Sequence, residues 1–383
     1  MKRIKSTRII LEEELFDGYV YIDGGKIVKL SRECEEADEC IDLGDDYLSA
    51  GFIDMHTHGG GGNCFLSDDP EVIAKGCDFH LTHGTTSILP TLAAGEFDVM
   101  YRATDAIKQA KEKGLSQANI IGAHLEGPYF SPRQCGAQRP EFITPPVKED
   151  YVKLIEDMKG SVTRWSYAPE LDEGAEFCRY LNEHGILPSV GHTDATLADV
   201  DLGMKNGLRL VTHLYSCTST ITRNKGFRIL GVNEAAYLRD DMYVEIIADG
   251  KHLPPELIQL IIKIKGKDRV ALVTDSLEIV GTDSLEGFSQ SVGNYVIEDG
   301  VCKLPDRSAF AGSIATADRL IRTLNKECGY SVPFAVYMLT ETPANLLGLS
   351  SKGRIEAGRD ADLVAFDDDV NICAVFVGGE RKV

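Results

Sequence analysis

Short apolar runs recur along the middle of the chain, and helical segments separate most of them. The eight runs that we predict to be strands are Phe52–Met55, Ser87–Thr91, Ile120–Leu125, Thr163–Tyr167, Leu187–Gly191, Leu208–Leu214, Tyr243–Ala248 and Val270–Thr274. A repeat of strand and helix makes neighbouring strands parallel, and eight such units can close into a barrel. The sequence therefore predicts an α/β fold of the (β/α)8, TIM-like type.

Both ends of the chain differ from this middle part, because they have the pattern of β-strands and turns. Near the N-terminus, 19–23 and 26–30 flank a Gly-Gly pair, which is typical of a hairpin. Near the C-terminus, 361–366 and 374–377 are similar apolar runs, and a second Gly-Gly turn follows them. We therefore expect the two ends of the chain to build one small β-sandwich together.

The domain boundaries follow from this division. Residues 1–50 and 346–383 are predicted to form the β-sandwich domain, which is discontinuous in sequence. Residues 51–345 are predicted to form the catalytic barrel. Within the barrel, 216–233 is predicted to be a polar loop, and 283–310 is predicted to be a glycine-rich insertion with hairpin character.

Composition argues against several classes of protein. The 383 residues include 40 Lys and Arg against 60 Asp and Glu, whereas nucleic-acid binders usually carry a basic face. No signal peptide is visible, and no run of about 18 apolar residues suggests a membrane span. The ten cysteines are scattered without a C-x-x-C pair, as is typical of reduced thiols in the cytoplasm. We expect a cytoplasmic protein without nucleic-acid or membrane partners.

Histidines and carboxylates stand where the predicted strands end. His56 and His58 follow the first strand, and residues two apart on a strand share a face and can bind one metal ion. The other strand ends carry Glu126, His192, His213 and Asp275. Active sites of such barrels lie at the C-terminal ends of strands. Imidazoles and carboxylates together are the ligands of metal sites that activate water, so the sequence predicts a metal-dependent hydrolase.

Three further histidines receive no functional assignment. His80 and His83 lie in the helix before Gly84, and we predict that they are solvated or cap that helix. His184 precedes Gly185 at the end of another helix, where a cation is favoured by the helix dipole.

The residues around the predicted ligands form longer motifs. These are His56-Thr57-His58-Gly59-Gly60, His124-Leu125-Glu126-Gly127-Pro128-Tyr129, Gly191-His192-Thr193, Thr212-His213-Leu214, Asp249-Gly250-Lys251-His252 and Val273-Thr274-Asp275. Together they resemble the amidohydrolase superfamily and, within it, the N-acetylglucosamine-6-phosphate deacetylase family. The resemblance continues through Ala311-Gly312-Ser313 and Pro343-Ala344 to the segment 353–363, so it covers nearly the whole chain.

The resemblance implies a ligand set and a cofactor. Glu126, His192 and His213 would hold the principal metal ion, and His56 and His58 would hold a second one that Glu126 can bridge. Many other amidohydrolases bridge their metals with a carboxylated lysine on the fourth strand, but this strand contains no lysine, which argues against hydantoinase-like or urease-like chemistry. We expect one or two divalent transition-metal ions per subunit, and the ligand types suit Zn, Fe and Mn alike.

The reaction that the resemblance implies is hydrolysis of the N-acetyl group of N-acetylglucosamine-6-phosphate, which gives glucosamine-6-phosphate and acetate in amino-sugar catabolism. A metal ion makes water a usable nucleophile near neutral pH. Asp275 is the predicted catalytic residue, because its carboxylate can accept the proton of that water and return it to the leaving amine. The resemblance implies that His252 contacts the substrate carbonyl or the sugar.

The residues expected to bind the phosphate match the family pattern only in part. The loop 222–228 offers cations and backbone donors for a phosphate. Family members use an arginine from this loop, often in the site of a neighbouring subunit, and Arg223 is the nearest match. A homodimer with sites near the subunit interface is therefore expected. Ser216, Cys217 and Gln138 are expected to line the sugar-phosphate pocket, but they replace the Asn, Ala and His that the family usually has there.

Two other functions fit parts of the pattern. One is a different metal-dependent amidohydrolase, which could be the N-acetylgalactosamine-6-phosphate deacetylase, a deaminase or a cyclic-amide hydrolase. The other is a catalytically inactive barrel that acts in protein interactions. Such a protein is expected to lose metal ligands, and here every ligand is present.

Overall fold

The computed structural model describes residues 1–12 and 14–383. Its strands are Lys2–Leu11 (β1), Glu14–Asp23 (β2), Lys26–Ser31 (β3), Glu39–Asp42 (β4), Tyr47–Ala50 (β5), Phe52–Thr57 (β6), Gly59–Gly60 (β7), Asn63–Cys64 (β8), Thr85–Leu92 (β9), Asn119–Ile120 (β10), Ala123–Glu126 (β11), Val162–Tyr167 (β12), Leu187–Val190 (β13), Leu210–Val211 (β14), Thr222–Asn224 (β15), Phe227–Ile229 (β16), Tyr243–Ile247 (β17), Val270–Val273 (β18), Glu286–Ser289 (β19), Gly293–Glu298 (β20), Val301–Lys303 (β21), Leu363–Phe366 (β22), Ile372–Val377 (β23) and Glu380–Arg381 (β24).

The α-helices of the described residues lie mostly between the strands of the middle part. They are Pro70–Leu81 (α1), Phe97–Glu112 (α2), Lys148–Asp157 (α3), Glu176–Glu183 (α4), Leu197–Lys205 (α5), Val232–Leu238 (α6), Pro255–Lys265 (α7), Ala317–Arg322 (α8) and Val332–Leu347 (α9). A glycine with positive φ follows several of these helices within a few residues, as at Gly84 and Gly266. Such a residue ends a helix without steric cost.

The parallel strands form the predicted barrel. Strand β6 pairs with β9, which pairs with β11, and β12, β13, β14, β17 and β18 follow in order, all parallel. The backbone N–H of Asp275, just after β18, donates to the carbonyl of His56 in β6 over 2.9 Å and brings the last strand back to the first. The (β/α)8 prediction is confirmed, and the strand ends named above meet at one face.

The third strand is interrupted, although the sequence predicted it as a single run from 120 to 125. It consists of β10 and β11, with Gly122 between them. A Cβ atom at Gly122 would lie 2.2 Å from Thr163 Oγ1 and 2.8 Å from the carbonyl oxygen of Ser161. The chain therefore passes so close to β12 that only glycine fits, and the strand shifts its register there.

Strands from both termini form the accessory domain, as predicted. They make one hydrogen-bonded sheet in the order β24-β23-β22-β5-β1-β2-β3, and β4 also pairs with β1. Buried side chains such as Ile4, Val20, Leu48 and Phe376 fill its own apolar core. The domain boundaries at 50/51 and 345/346 remain a prediction.

Two insertions lie outside the barrel sheet. The polar segment 216–233, predicted as a loop, contains the exposed hairpin of β15 and β16. The segment 283–310 contains β19, β20 and β21, which form an antiparallel sheet in agreement with the predicted hairpin character. All ten cysteines are unpaired. Among the described helices, none is long and apolar enough to cross a membrane.

Candidate metal centre and active site

Each predicted metal ligand lies at the C-terminal end of a barrel strand. His56 and His58 lie at the end of β6 and just beyond it, and Glu126 is the last residue of β11. Three others are the second residue after their strands and have left-handed backbone: His192 with φ 47°, His213 with φ 27° and the predicted catalytic residue Asp275 with φ 48°. Residues other than glycine rarely adopt this backbone conformation, because it is strained. Backbone strain of this kind is concentrated at functional sites.

Glu126 is the centre of the cluster. Its Oε1 lies 3.0 Å from Nε2 of His192 and 2.9 Å from Nε2 of His213. Its Oε2 lies 3.2 Å from Nε2 of His58. All four side chains are buried. The structure therefore brings one carboxylate between the histidines of the two predicted metal positions.

Asp275 completes the cluster on the side of the H-x-H motif. Its Oδ1 lies 3.4 Å from Nε2 of His56 and 3.2 Å from Nε2 of His58. The backbone N–H of Ser313 donates to the carbonyl of Asp275 over 2.8 Å. A Cβ atom at Gly312 would lie only 3.0 Å from that same carbonyl oxygen. The Ala-Gly-Ser motif of the sequence thus supports the backbone of Asp275.

The donor atoms fit one or two divalent metal ions. The described residues contain three groups of three side chains, and within each group the ligand atoms lie within 4.8 Å of one another. The groups are His56 with His213 and Asp275, His56 with His58 and Glu126, and Glu126 with His192 and His213. Nε2 of His56 is buried and has no hydrogen-bond partner among the described residues. A buried polar atom without a partner is costly. The histidine nitrogens and carboxylate oxygens are the donors that Zn, Fe and Mn accept.

Electrostatics also favour a cation in the cluster. Burial lowers the pKa of His56, but the carboxylates of Asp275 and Glu126 outweigh it and raise the pKa to about 10. Burial raises the pKa of Asp275, but His56 and His58 reverse this and lower it to about 2. Glu126 likewise has a pKa well below its usual value, against the effect of burial. Both carboxylates are therefore ionised in a buried site, where positive charge on the histidines or on a bound cation is needed to balance them.

A cavity of about 260 Å³ opens above this cluster. His58, Glu126, His192, His213 and Asp275 line it, together with four residues that were predicted to bind substrate: His252, Ser216, Cys217 and Gln138. His252 is oriented by Asp249, whose Oδ2 lies 2.9 Å from its Nδ1, and by Phe310, which packs against its ring. The cavity thus joins the metal ligands to polar groups that can hold a small substrate.

Gln138 has a closer connection with the metal ligands than the sequence indicated. Its Nε2 donates to Oε2 of Glu126 over 2.6 Å, and its Oε1 accepts from the backbone N–H of Ala94 over 2.8 Å. Because both ends of the amide are bonded, Gln138 fixes the orientation of Glu126 while it lines the cavity.

Arg223 is the one predicted substrate residue that does not line this cavity. It lies in β15 of the hairpin 222–229, where it is exposed. Among the described residues that line the cavity, none belongs to that hairpin. Within one chain, therefore, the structure does not bring Arg223 to the metal cluster.

The prediction for His80 was wrong. Its side chain is fully buried, and its Nε2 lies 2.8 Å from the carbonyl oxygen of Gly59, in the turn that follows the H-x-H motif. Burial lowers its pKa to about 4. His80 therefore supports that turn as a neutral side chain. His83 is half-buried and lies 3.3 Å from Asp318, whereas His184 stacks on Tyr180 at the end of α4.

Sequence reasoning also missed two buried charges below the metal cluster. Arg164 in β12 and Glu245 in β17 are both completely buried, and they form an ion pair across the barrel interior. Glu245 also lies 3.4 Å from Nδ1 of His56. A charged residue within a strand ordinarily indicates a solvent-facing position, so no local signal pointed to this pair.

The comparison with known proteins identifies the family. The Amidohydrolase family model matches residues 47–382. The chain belongs to the amidohydrolase family. It is accordingly a hydrolase, as the strand-end motifs predicted.

Individual relatives agree with the resemblance that the motifs indicated. An N-acetylglucosamine-6-phosphate deacetylase of Bacillus subtilis (strain 168) is 31% identical over 98% of this chain and 96% of its own length. An N-acetylgalactosamine-6-phosphate deacetylase of Shewanella sp. (strain ANA-3) is 30% identical over 87% of this chain and 82% of its own length.

A solved structure extends the similarity to the whole fold. A mutant of the N-acetyl-D-glucosamine-6-phosphate deacetylase from Mycobacterium smegmatis, in complex with N-acetyl-D-glucosamine-6-phosphate, is 27% identical to this chain. The two superimpose with a TM-score of 0.91 over 99% of this chain and 98% of that one. The predicted resemblance to these deacetylases is confirmed.

Proposed function

We propose that this chain is a metal-dependent deacetylase that hydrolyses the N-acetyl group of N-acetylglucosamine-6-phosphate to glucosamine-6-phosphate and acetate, in cytoplasmic amino-sugar catabolism. The observation that carries this proposal is the buried cluster of four histidines, Glu126 and Asp275, most of which line a partly open cavity. Two relatives that are 31% and 30% identical over nearly the full chain bear that enzyme name, which supports the choice of substrate.

The residues present would hold one or two divalent ions. We assign His56 and His58 to one position, His192 and His213 to the other, and Glu126 to both. A bound divalent ion acts as a Lewis acid that polarises a carbonyl group and makes water a stronger nucleophile. The cluster itself keeps these five ligands buried and held in place, so that little reorganisation is needed when an ion binds.

Asp275 is assigned as the proton acceptor. Its carboxylate is ionised near neutral pH, because its pKa is lowered to about 2, and it lines the cavity beside His58. As the oxygen of water bonds to the acetyl carbon, one water proton passes to Asp275. When the C–N bond breaks, that proton goes to the leaving nitrogen and gives the amine. The second water proton stays on the acetic acid and is then lost to solvent, which leaves acetate.

We assign the remaining cavity residues to the sugar. His252 is oriented towards the cavity by Asp249, and it is placed to contact the acetyl carbonyl or a sugar hydroxyl. Ser216 and Cys217 follow the strand end of His213 and can contact the sugar phosphate.

Arg223 is assigned to the phosphate in a partner's site. It is exposed on a hairpin and does not line its own cavity, so it would have to act in a second copy of the chain. Phe227 on the same hairpin is 76% exposed, which is unusual for a large apolar side chain and fits a subunit contact. We therefore propose a homodimer.

The galactosamine epimer is the second candidate substrate. A relative at 30% identity is named for deacetylation of N-acetylgalactosamine-6-phosphate, so this level of identity does not separate the epimers. Both ends of the Gln138 amide are hydrogen-bonded, one to Glu126 and the other to the backbone of Ala94. The position of Gln138 therefore favours neither epimer.

Acetate release from a panel of four substrates tests the proposal. The panel is N-acetylglucosamine-6-phosphate, N-acetylgalactosamine-6-phosphate and the two unphosphorylated sugars. We expect the highest kcat/KM for the first. A higher value for the galactosamine phosphate would favour the second candidate, and a preference for unphosphorylated sugars would overturn the phosphate assignment. No acetate from any of the four would overturn the deacetylase proposal.

A further inference from the structure

A single buried carboxylate, outside the cavity, contacts one ligand residue of each candidate metal position. Glu245 in β17 is completely buried. Its Oε2 lies 3.4 Å from Nδ1 of His56, which belongs to the H-x-H position. The same oxygen accepts from the backbone N–H of His213 over 3.3 Å, and His213 belongs to the other position. One carboxylate oxygen therefore touches a ligand residue of each position.

Arg164 prevents this carboxylate from turning away. Its Nη2 donates to Oε2 of Glu245 over 2.8 Å, and its Nη1 donates to Oε1. The guanidinium is in turn fixed by neighbouring strands, because it also donates to Ser189 Oγ over 3.0 Å and Thr212 Oγ1 over 2.8 Å. A further donation, from Nη1, reaches the carbonyl of Met55 in β6 over 3.2 Å. Glu245 thus has one available position.

The contact with His56 determines which ring nitrogen can bind a metal. A histidine ligand uses one ring nitrogen, and a hydrogen-bond acceptor at the other nitrogen fixes the tautomer and the ring orientation. An N–H at Nδ1 that faces Glu245 leaves the lone pair at Nε2, the atom that faces Glu126 and Asp275 without a hydrogen-bond partner of its own.

No other ligand histidine has such a carboxylate among the described residues. Nδ1 of His192 meets the backbone carbonyl of Gln134 over 2.9 Å. Nδ1 of His58 and Nδ1 of His213 are buried and have no hydrogen-bond partner. Among the described residues, Glu245 is therefore the one carboxylate outside the cluster that supports a ligand histidine at Nδ1.

We propose that Glu245, held by Arg164, is a positioning residue that orients His56 and His213 and thereby sets the affinity of both metal positions. The inference rests on the proposed metal-dependent function, which assigns ions to these positions. Glu245 does not touch the cavity and acts only through the two histidines.

The Arg164–Glu245 ion pair could instead serve only to stabilise the fold, and Glu341 provides a control for that alternative. Glu341 in α9 is 3% exposed and pairs with Arg354, and Tyr337 donates to its Oε1 over 2.9 Å. It contacts no metal ligand. Glu341→Gln therefore removes the charge of another buried carboxylate that pairs with an arginine, here a half-buried one, without reaching the metal cluster.

The test measures metal affinity directly, without substrate. Wild type, Glu245→Gln and Glu341→Gln are loaded with Co²⁺ and titrated with a competing chelator, and the visible absorption of the bound ion is followed. Loss of such a supporting contact typically lowers metal affinity about 10- to 100-fold. We expect that loss and an altered absorption spectrum for Glu245→Gln. Glu341→Gln should bind Co²⁺ like wild type, even where its melting temperature is lower.

A second variant covers the case in which Glu245→Gln does not fold, since it leaves Arg164 without its partner charge. Arg164→Met with Glu245→Leu removes both charges, and it should fold and show the same loss of affinity. Wild-type affinity in a folded Glu245 variant would overturn the inference, and so would an equal loss in Glu341→Gln. Absence of Co²⁺ binding in wild type would instead overturn the metal assignment of the proposed function.

Discussion

At the scale of single residues, Asp275 carries the most specific claim about chemistry. Asparagine keeps the shape of the side chain but cannot accept a proton near neutral pH. General acid–base catalysis contributes about 10²–10⁴ in rate, so Asp275→Asn should lower kcat for acetate release by at least that factor. The KM should change little, and metal content should stay near that of wild type.

The exposed Asp283 offers a control for this substitution. Asp283→Asn makes the same chemical change on the insertion 283–310, and it should leave kcat within about twofold of wild type. Retention of more than a tenth of the wild-type kcat in Asp275→Asn would show that another group moves the proton.

The ligands could be predicted from the sequence because each one follows an apolar run, where the strands of a barrel converge. His56, Glu126 and His213 needed no structure for this reason. Arg164 and Glu245 could not be found in this way, because their partners lie on other strands, 81 residues apart. Inside a narrow barrel, side chains from strands that are not neighbours can meet and form such an ion pair. The sequence of one strand alone does not show which side chain it will meet.

At the scale of elements, the helices and strands followed their local signals, and the exceptions have physical causes. His80 occupies a helical position that the sequence does not distinguish from a solvated one. It is buried because the glycine-rich turn after β6 folds against α1, and a Cβ atom at Gly60 would lie 2.9 Å from its Nε2. The hairpin 222–229 was predicted as a loop because its residues are polar and its strands have three residues each.

The buried carboxylate of Asp318, which faces the turn after α1, gives a prediction for stability. Asp318 in α8 lies 3.3 Å from Nδ1 of His83 and 2.5 Å from Nη2 of Arg322. Burial raises the pKa of Asp318, but His83, Thr316 and Arg322 reverse this and lower it from 3.8 to about 2. The ionised carboxylate therefore stabilises the folded state above the unfolded pKa, and this contribution disappears as the pH falls towards the folded value.

Asp318→Asn should consequently lower the free energy of unfolding on the order of 2 kcal/mol at pH 7. The difference from wild type should shrink as the pH falls from about 4 to about 2. Urea unfolding of both proteins at several pH values measures it. A difference that stays constant over this range would mean that packing, and not the charge of Asp318, is responsible.

At the scale of the whole molecule, the assignment of Arg223 requires two copies of the chain. A charge-assisted contact to phosphate contributes roughly 1.5–3 kcal/mol, which corresponds to about ten- to a hundredfold in affinity. Arg223→Ala should raise KM for the phosphorylated sugar by that factor and leave the unphosphorylated sugar nearly unchanged.

Mixed dimers distinguish an arginine that acts in the partner's site from one that acts in its own. A dimer of one Asp275→Asn and one Arg223→Ala subunit contains one site with an intact Asp275 and the partner's intact arginine. If Arg223 acts in the partner's site, mixing the two variants restores a low KM for the phosphorylated sugar. An unchanged high KM in dimers shown to be mixed would place its action within a single chain.

Metal dependence of acetate release follows from the buried cluster of His56, His58, Glu126, His192, His213 and Asp275, whose donor atoms lie close enough together to hold a metal ion beside the cavity. The direct measurement strips the purified protein with a chelator and then returns Zn²⁺ stepwise while acetate release from N-acetylglucosamine-6-phosphate is followed. The stripped protein should be inactive, and activity should rise with added ion to a plateau at one or two equivalents per chain. Full acetate release by protein shown to be free of metal would mean that the hydrolysis needs no metal ion.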